Sequence, residues 1–117
     1  MSRALDRDAT RRAFAGVVNM DADEIEAWLE TEESRRVGFV PPGAGESVGR
    51  AAGRRIAAIL RTPDTALGDE DYRLMRKAFG VVRRHSARPP VNRVTSRWRY
   101  ALMNWGHDPL RCEGWSV

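Results

Sequence analysis

The fold of this chain is decided by the stretch DEDYRLMRKAFGVVRRHSAR, residues 69–88. Placed on a helix at about 100° per residue, it splits into two arcs. Tyr72, Leu74, Met75, Ala78, Phe79, Val81 and Val82 share one broad side, while Arg73, Arg76, Lys77, Arg83, Arg84 and Arg88 gather opposite. An apolar side of that width suits a core built by several other helices, not a coiled-coil seam. Asp69, Glu70 and Asp71 put negative charge at the helix start, and the arginines put positive charge at its end. Both placements suit the helix dipole.

Outward from this helix, the remaining segments also read as helical. Residues 1–7 are polar and are expected to form a flexible N-terminus. A helix is expected from Asp8 to Val18, with Phe14, Val17 and Val18 facing inward. Asp21 reads as an N-cap with Glu24 as its capping-box partner, flanked by Met20 and Ile25 as a hydrophobic staple. Ile25, Trp28 and Leu29 then carry that helix to about Thr31. Residues 32–46 read as a loop rich in Pro and Gly, in which a short extended piece drops Phe39 into the core. Ser47 caps a helix running to about Arg61, with Val48, Ala52, Ile56, Ile59 and Leu60 inward and Arg50, Arg54 and Arg61 outward. Arg55 falls within the apolar arc, which is costly unless a carboxylate pairs with it. Gly49 and Gly53 would let another backbone approach closely on one side.

Pro89-Pro90 ends the central helix. The last helix opens at Thr95 or Ser96 and closes at Asn104 or Trp105, with Val94, Trp98, Ala101, Leu102 and Trp105 inward. Gly106 fits its C′ position, and Pro109 prevents extension. Five helices and hardly any strand signal predict a compact all-α domain over residues 8–110, followed by a tail at 111–117 that carries Trp115.

The 117 residues are 42% hydrophobic, enough for one core but not two. No run is long enough for a membrane span, and the N-terminus lacks a signal-peptide core. Cys112 is the single cysteine, so an internal disulfide is excluded and a cytoplasmic location is expected. The formal net charge is +4 and the pI is near 10.2, which favours an anionic partner. The basic residues are arginines except Lys77. A GC-rich genome would give the same bias with no function behind it.

Where the charges lie is more informative than their sum. Residues 21–33 hold seven acids and no base, and residues 72–107 hold nine bases and no acid. Either one half of the molecule neutralises the other, or the basic half faces a polyanion. Arg73, Arg76, Lys77, Arg83 and Arg84 form one candidate nucleic-acid stripe, and Arg50, Arg54 and Arg61 offer a second. The run Arg97-Trp98-Arg99-Tyr100 adds aromatic residues beside arginines, though helical spacing turns Trp98 inward.

Other chemistry is poorly marked. The turn at 43–49 lacks the Gly-Lys-Ser/Thr ending of a phosphate loop, and Glu46 would repel a phosphate. His85 lies in the apolar arc and reads as a hydrogen-bonded core residue. Two histidines and one cysteine at unrelated spacings form no zinc set. A His85–His107–Asp108 cluster is the one arrangement that would suit acid–base work, in a deep pocket. No catalytic residue, metal or cofactor is expected.

Several motifs also resemble a known family. They are Val17-Val18-Asn19-Met20, Trp28-Leu29 with Thr31-Glu32-Glu33-Ser34, and Gly45-Glu46-Ser47-Val48-Gly49 with Gly53-Arg54-Arg55-Ile56 and Ile59-Leu60-Arg61. Asp69-Glu70-Asp71-Tyr72, Met75-Arg76-Lys77, Trp98-Arg99-Tyr100 and Leu102-Met103-Asn104-Trp105-Gly106-His107-Asp108-Pro109 complete the set. Together they resemble the small bacterial and fungal domain-of-unknown-function family thirty-one forty, over about residues 12–110. The resemblance implies no established activity and no catalytic residue, and its members often carry the label DNA-binding protein. It implies an actinobacterial-like origin, and a defined structure for Asn104 to Pro109. Asn104, His107 and Asp108 would then be buried braces or a recognition site, with Trp98 and Trp105 tying the segment to the core. The expected partner is DNA. The alternative is a protein-interaction module, including a homodimer, with no nucleic-acid role and no membrane contact.

Overall fold

Four helices begin at a residue whose side-chain oxygen accepts a backbone N–H from the first turn. These are α2 (Ala22–Leu29, capped by Asp21), α3 (Glu32–Arg35, Thr31), α4 (Val48–Leu60, Ser47) and α6 (Arg97–Asn104, Ser96). At α2 the expected capping box is complete, with Glu24 N donating to Asp21 at 2.8 Å and Asp21 N donating to Glu24 at 3.0 Å. Each such cap satisfies donors that a helix start leaves open and contributes about 1 kcal/mol. The other two helices are α1 (Arg3–Val17) and α5 (Asp69–Ser86). The computed structural model describes residues 3–111, with side chains from Asp6 onward, and no strand occurs among them. The expectations for Cys112 and Trp115 lie outside the described residues.

Helix α1 lies along α5, α2 lies along α4, and α6 sits where α2, α3, α4 and α5 converge. Ile25, Leu29, Ile56 and Leu102 are buried to 1% or less at that convergence. The inward arc of α5 contributes Tyr72, Leu74, Met75, Ala78 and Val82. The close approach expected at Gly49 and Gly53 is made by α6. A Cβ on Gly53 would stand 2.3 Å from the Asn104 carbonyl oxygen, and one on Gly49 would stand 3.0 Å from Trp105 Nε1. No side chain fits at Gly53 without separating the two helices.

The structure corrects several expectations. Helix α1 starts at Arg3, ahead of Asp8, and packing on α5 explains the extension: Arg7 pairs with Asp69 at 2.5 Å and lies 4.6 Å above the Tyr72 ring. Residues 32–35 form a helical turn where a loop was expected, because Thr31 supplies a cap. Phe39 is 69% exposed, outside the core. Val37 is the residue that plugs inward, and Gly38, at φ 96°, reverses the chain before Phe39. Val48 and Leu60 are exposed at the two ends of α4, and Val94 is exposed ahead of α6. Arg55 is also exposed, with Asp71 at 3.9 Å, so no buried charge arises there.

Gly53→Ala is expected to lower stability by about 1–3 kcal/mol through overpacking, although the same change in an open helix favours folding. Gly16, in α1 with nothing within 4 Å of an added Cβ, supplies the control. Gly16→Ala should raise stability by about 0.5–1 kcal/mol. Urea denaturation midpoints of the two variants should move in opposite directions.

Candidate nucleic-acid interface

The charges of the chain pair off unevenly. Arg61, at the end of α4, reaches both Asp23 and Glu26 of α2 at 2.6 Å. Arg54 meets Glu46 at 3.1 Å, and Arg35 bridges Glu30 and Glu32 at 3.4 and 3.3 Å. Arg111 closes on Glu24 and draws its carboxyl down to about 2, the Arg111 hydrogen bond being the largest cause. The outward arginines of α4 are therefore each matched by a carboxylate, but only Arg61 by the acidic helix, whose other engaged acids are held by Arg35 and Arg111.

Arg50 does not share that surface. It is 7% exposed, and its guanidinium donates to the Leu29 carbonyl at 2.6 Å, to Ser34 Oγ at 3.2 Å and to Glu46 at 3.1 Å. Burial removes it from the expected second stripe and makes it a brace between α2, α3 and α4. Ser34 Oγ in turn donates to Asn104 Oδ1 at 2.6 Å, which also accepts Trp28 Nε1 at 2.7 Å. The Asn104 amide nitrogen donates to the Ser34 carbonyl at 3.3 Å.

The segment after α6 is a second brace. Gly106, at φ 82°, turns the chain so that its carbonyl accepts the backbone N–H groups of Asn19 and Met20 at 3.1 and 3.2 Å. The Asn19 side-chain amide pairs with the main chain of Asp108, accepting at 2.7 Å and donating at 3.0 Å. His107 Nδ1 stands 2.6 Å from the Val17 carbonyl, which fixes the proton on that nitrogen because a carbonyl only accepts. The Asp108 carboxylate receives a bidentate pair from Arg99, both bonds 3.1 Å. Burial alone would raise the Asp108 pKa, but the bonds from Arg99 and the Leu110 N–H, with the charges of Arg99 and Arg111, hold it below the usual value. Asn104, His107 and Asp108 are all buried, and each is hydrogen-bonded across the core.

His85 is exposed on the last turn of α5, outside the core where its arc had placed it. Its contribution to packing is its carbonyl, which accepts Trp98 Nε1 at 2.7 Å. Partial burial of the imidazole lowers its pKa, which disfavours the charged ring. The run at residues 97–100 forms no open platform either: Trp98 is buried, Tyr100 packs on Trp28 at 5.4 Å between ring centroids, and Arg99 faces Asp108.

The outer face of α5 differs from that of α4. Arg73, Arg76, Lys77, Arg83 and Arg84 are all exposed. No carboxylate among the described residues pairs with any of the five, nor with Arg88 or Arg97. Arg76 reaches only Thr10 Oγ1, at 3.4 Å, and Arg83 lies 5.5 Å above the Phe79 ring. One stripe of positive charge is thus left facing solvent.

The family described as "Protein of unknown function (DUF3140)" matches residues 13–103. The chain belongs to that family. No curated protein and no solved structure matches it. The DUF3140 match spans the α5 stripe, the Ser34–Arg50 contact and both helix-crossing glycines, and stops one residue short of Asn104.

Removing the Asn104 side chain leaves the Trp28 N–H and the Ser34 hydroxyl without an acceptor. Asn104→Ala should cost roughly 2–4 kcal/mol by calorimetry, from unsatisfied donors together with a cavity. Asp108→Asn should cost roughly 1–3 kcal/mol at neutral pH, since it breaks a charge-assisted pair. The folded-state pKa of Asp108 is depressed, so its contribution is full above the unfolded value of about 3.9 and fades as pH falls through the folded one. Stability curves of the two proteins should therefore run parallel above about pH 5 and converge below about pH 4.

Proposed function

We propose that this chain binds duplex DNA through the outer face of α5, mainly by contacts to phosphates. The carrying observation is the contrast in pairing: the exposed α4 arginines are matched by carboxylates, and the α5 bases are not. From Arg73 to Arg84 the stripe extends about 16 Å at 1.5 Å per residue, and helices of this kind lie lengthwise along a groove about 12 Å wide. Asn and Gln, the side chains that read adenine, are absent from α5. Electrostatics therefore dominates the expected affinity, and a base preference would fall on guanine, which Arg and Lys read. The protein-interaction alternative is less favoured, because most of the acids on its supposed acidic surface are engaged by Arg35, Arg61 and Arg111.

The test is binding to a short labelled duplex across a salt series. Five phosphate contacts predict a slope of about −4 to −5 in log K against log salt. Replacing Arg73, Arg76, Lys77, Arg83 and Arg84 together by Gln should abolish binding while leaving the melting temperature nearly unchanged. Each single replacement should reduce the slope by about 1. Absence of binding at low salt overturns the reading, and a dimer in sedimentation would then favour the alternative.

A further inference from the structure

The segment RPPVNRVTSR, residues 88–97, joins α5 to α6 and continues the acid-free surface. Its tip is Val91, whose side chain is fully exposed, with Val94 54% exposed beside it. A lone valine on a surface is ordinary. The way this one is held is less so. Trp98 Nε1 closes the base of the loop on the His85 carbonyl at 2.7 Å, and Arg99 Nη1 holds the Val94 carbonyl at 2.8 Å. Asn92 Oδ1 accepts the N–H groups of Val94 and Thr95 at 3.1 and 3.3 Å, and its amide nitrogen donates to Thr95 Oγ1 at 3.0 Å. Pro89 and Pro90 fix two further backbone angles. A loop pinned this way cannot fold its apolar tip back onto the body, and its ordering cost is met before any partner arrives.

We propose that Val91 is an apolar wedge that enters the groove of the duplex and kinks it, with Arg88 and Arg97 beside it on the phosphates. This rests on the duplex-binding reading above and adds a deformation that the α5 stripe alone would not produce. Apolar side chains inserted between base steps unstack them and bend DNA by about 20–90°, and Val91 lies between Arg88 and Arg97 in the chain. Charge complementarity selects an anionic partner, because the described loop and the last turns of α5 carry no acid, and the duplex reading above makes that partner a nucleic acid.

The test is end-to-end energy transfer in a duplex of about 30 base pairs labelled at both ends, a length at which such a bend is well resolved. The wild-type chain should raise the transfer on binding. Val91→Ser, at a fully exposed position, should keep the melting temperature and the salt slope, lose the rise in transfer, and bind roughly tenfold more weakly, as expected for one valine no longer buried. Binding with steep salt dependence, lost in the five-fold Gln variant but with no Val91-dependent bend, overturns the wedge and leaves the duplex reading standing. No duplex binding by the wild-type chain overturns both. Vesicles of phosphatidylserine and phosphatidylcholine form the remaining arm. Capture on them that requires Val91, without bending of the duplex, assigns the tip to a lipid surface and overturns the proposal.

Discussion

Asn104 is the buried residue at which four helices meet. It stands on α6, accepts from Trp28 of α2 and Ser34 of α3, and returns a bond to the Ser34 main chain. The Asn104 carbonyl presses against α4 where Gly53 leaves room. A buried donor without an acceptor costs more than a hydrogen bond gains, so these contacts act mainly by excluding other arrangements. Ser34 must be brought inward to complete the set, which accounts for the single turn α3 in a stretch otherwise rich in loop formers. Arg50 then has a place to be buried, since Ser34 and the Leu29 carbonyl take up its donors and Glu46 balances its charge.

The same packing divides the arginines into two populations. Exposed ion pairs contribute little to stability, commonly below about 1 kcal/mol. Their larger effect here is on the field outside the molecule. A guanidinium beside a carboxylate is a dipole whose potential dies within a few ångströms, whereas unpaired charges in a row add together. At physiological salt the screening length is about 8 Å, long enough for neighbours three or four residues apart on a helix to act jointly. The α4 face is electrostatically quiet and the α5 face is not, although their sequences are comparably rich in arginine.

What the sequence made legible was local. The caps at Asp21, Ser47 and Ser96, the two arcs of α5, the glycine pair of α4 and the turn at Gly106 all express short-range rules, and all are present. The errors share a cause. Arg50 and Arg54 sit four residues apart on one face, and only Ser34 and Leu29, supplied by other elements, make one buried and the other exposed. His85 follows the apolar period of α5 but falls on its final turn, where the period outlasts the core. Phe39 points away from the core because a single positive φ at Gly38 redirects the backbone just ahead of it. For the site, the acid-free run from 72 to 107 was visible in the sequence, but the withdrawal of the α4 bases required knowing which acids face them.

The brace between Asn19 and Asp108 spans 89 residues of sequence, and the bond from His107 to Val17 spans 90. Contacts of that separation close nearly the whole described chain into one loop, and the entropic cost of closure must be met before they contribute. On a ribosome, helices α1 and α2 emerge early but cannot be joined at their shared corner until residue 108 has left the exit tunnel. The corner that joins α1 and α2 to the segment after α6 is consequently closed late in folding, once residues from both ends of the described chain are present.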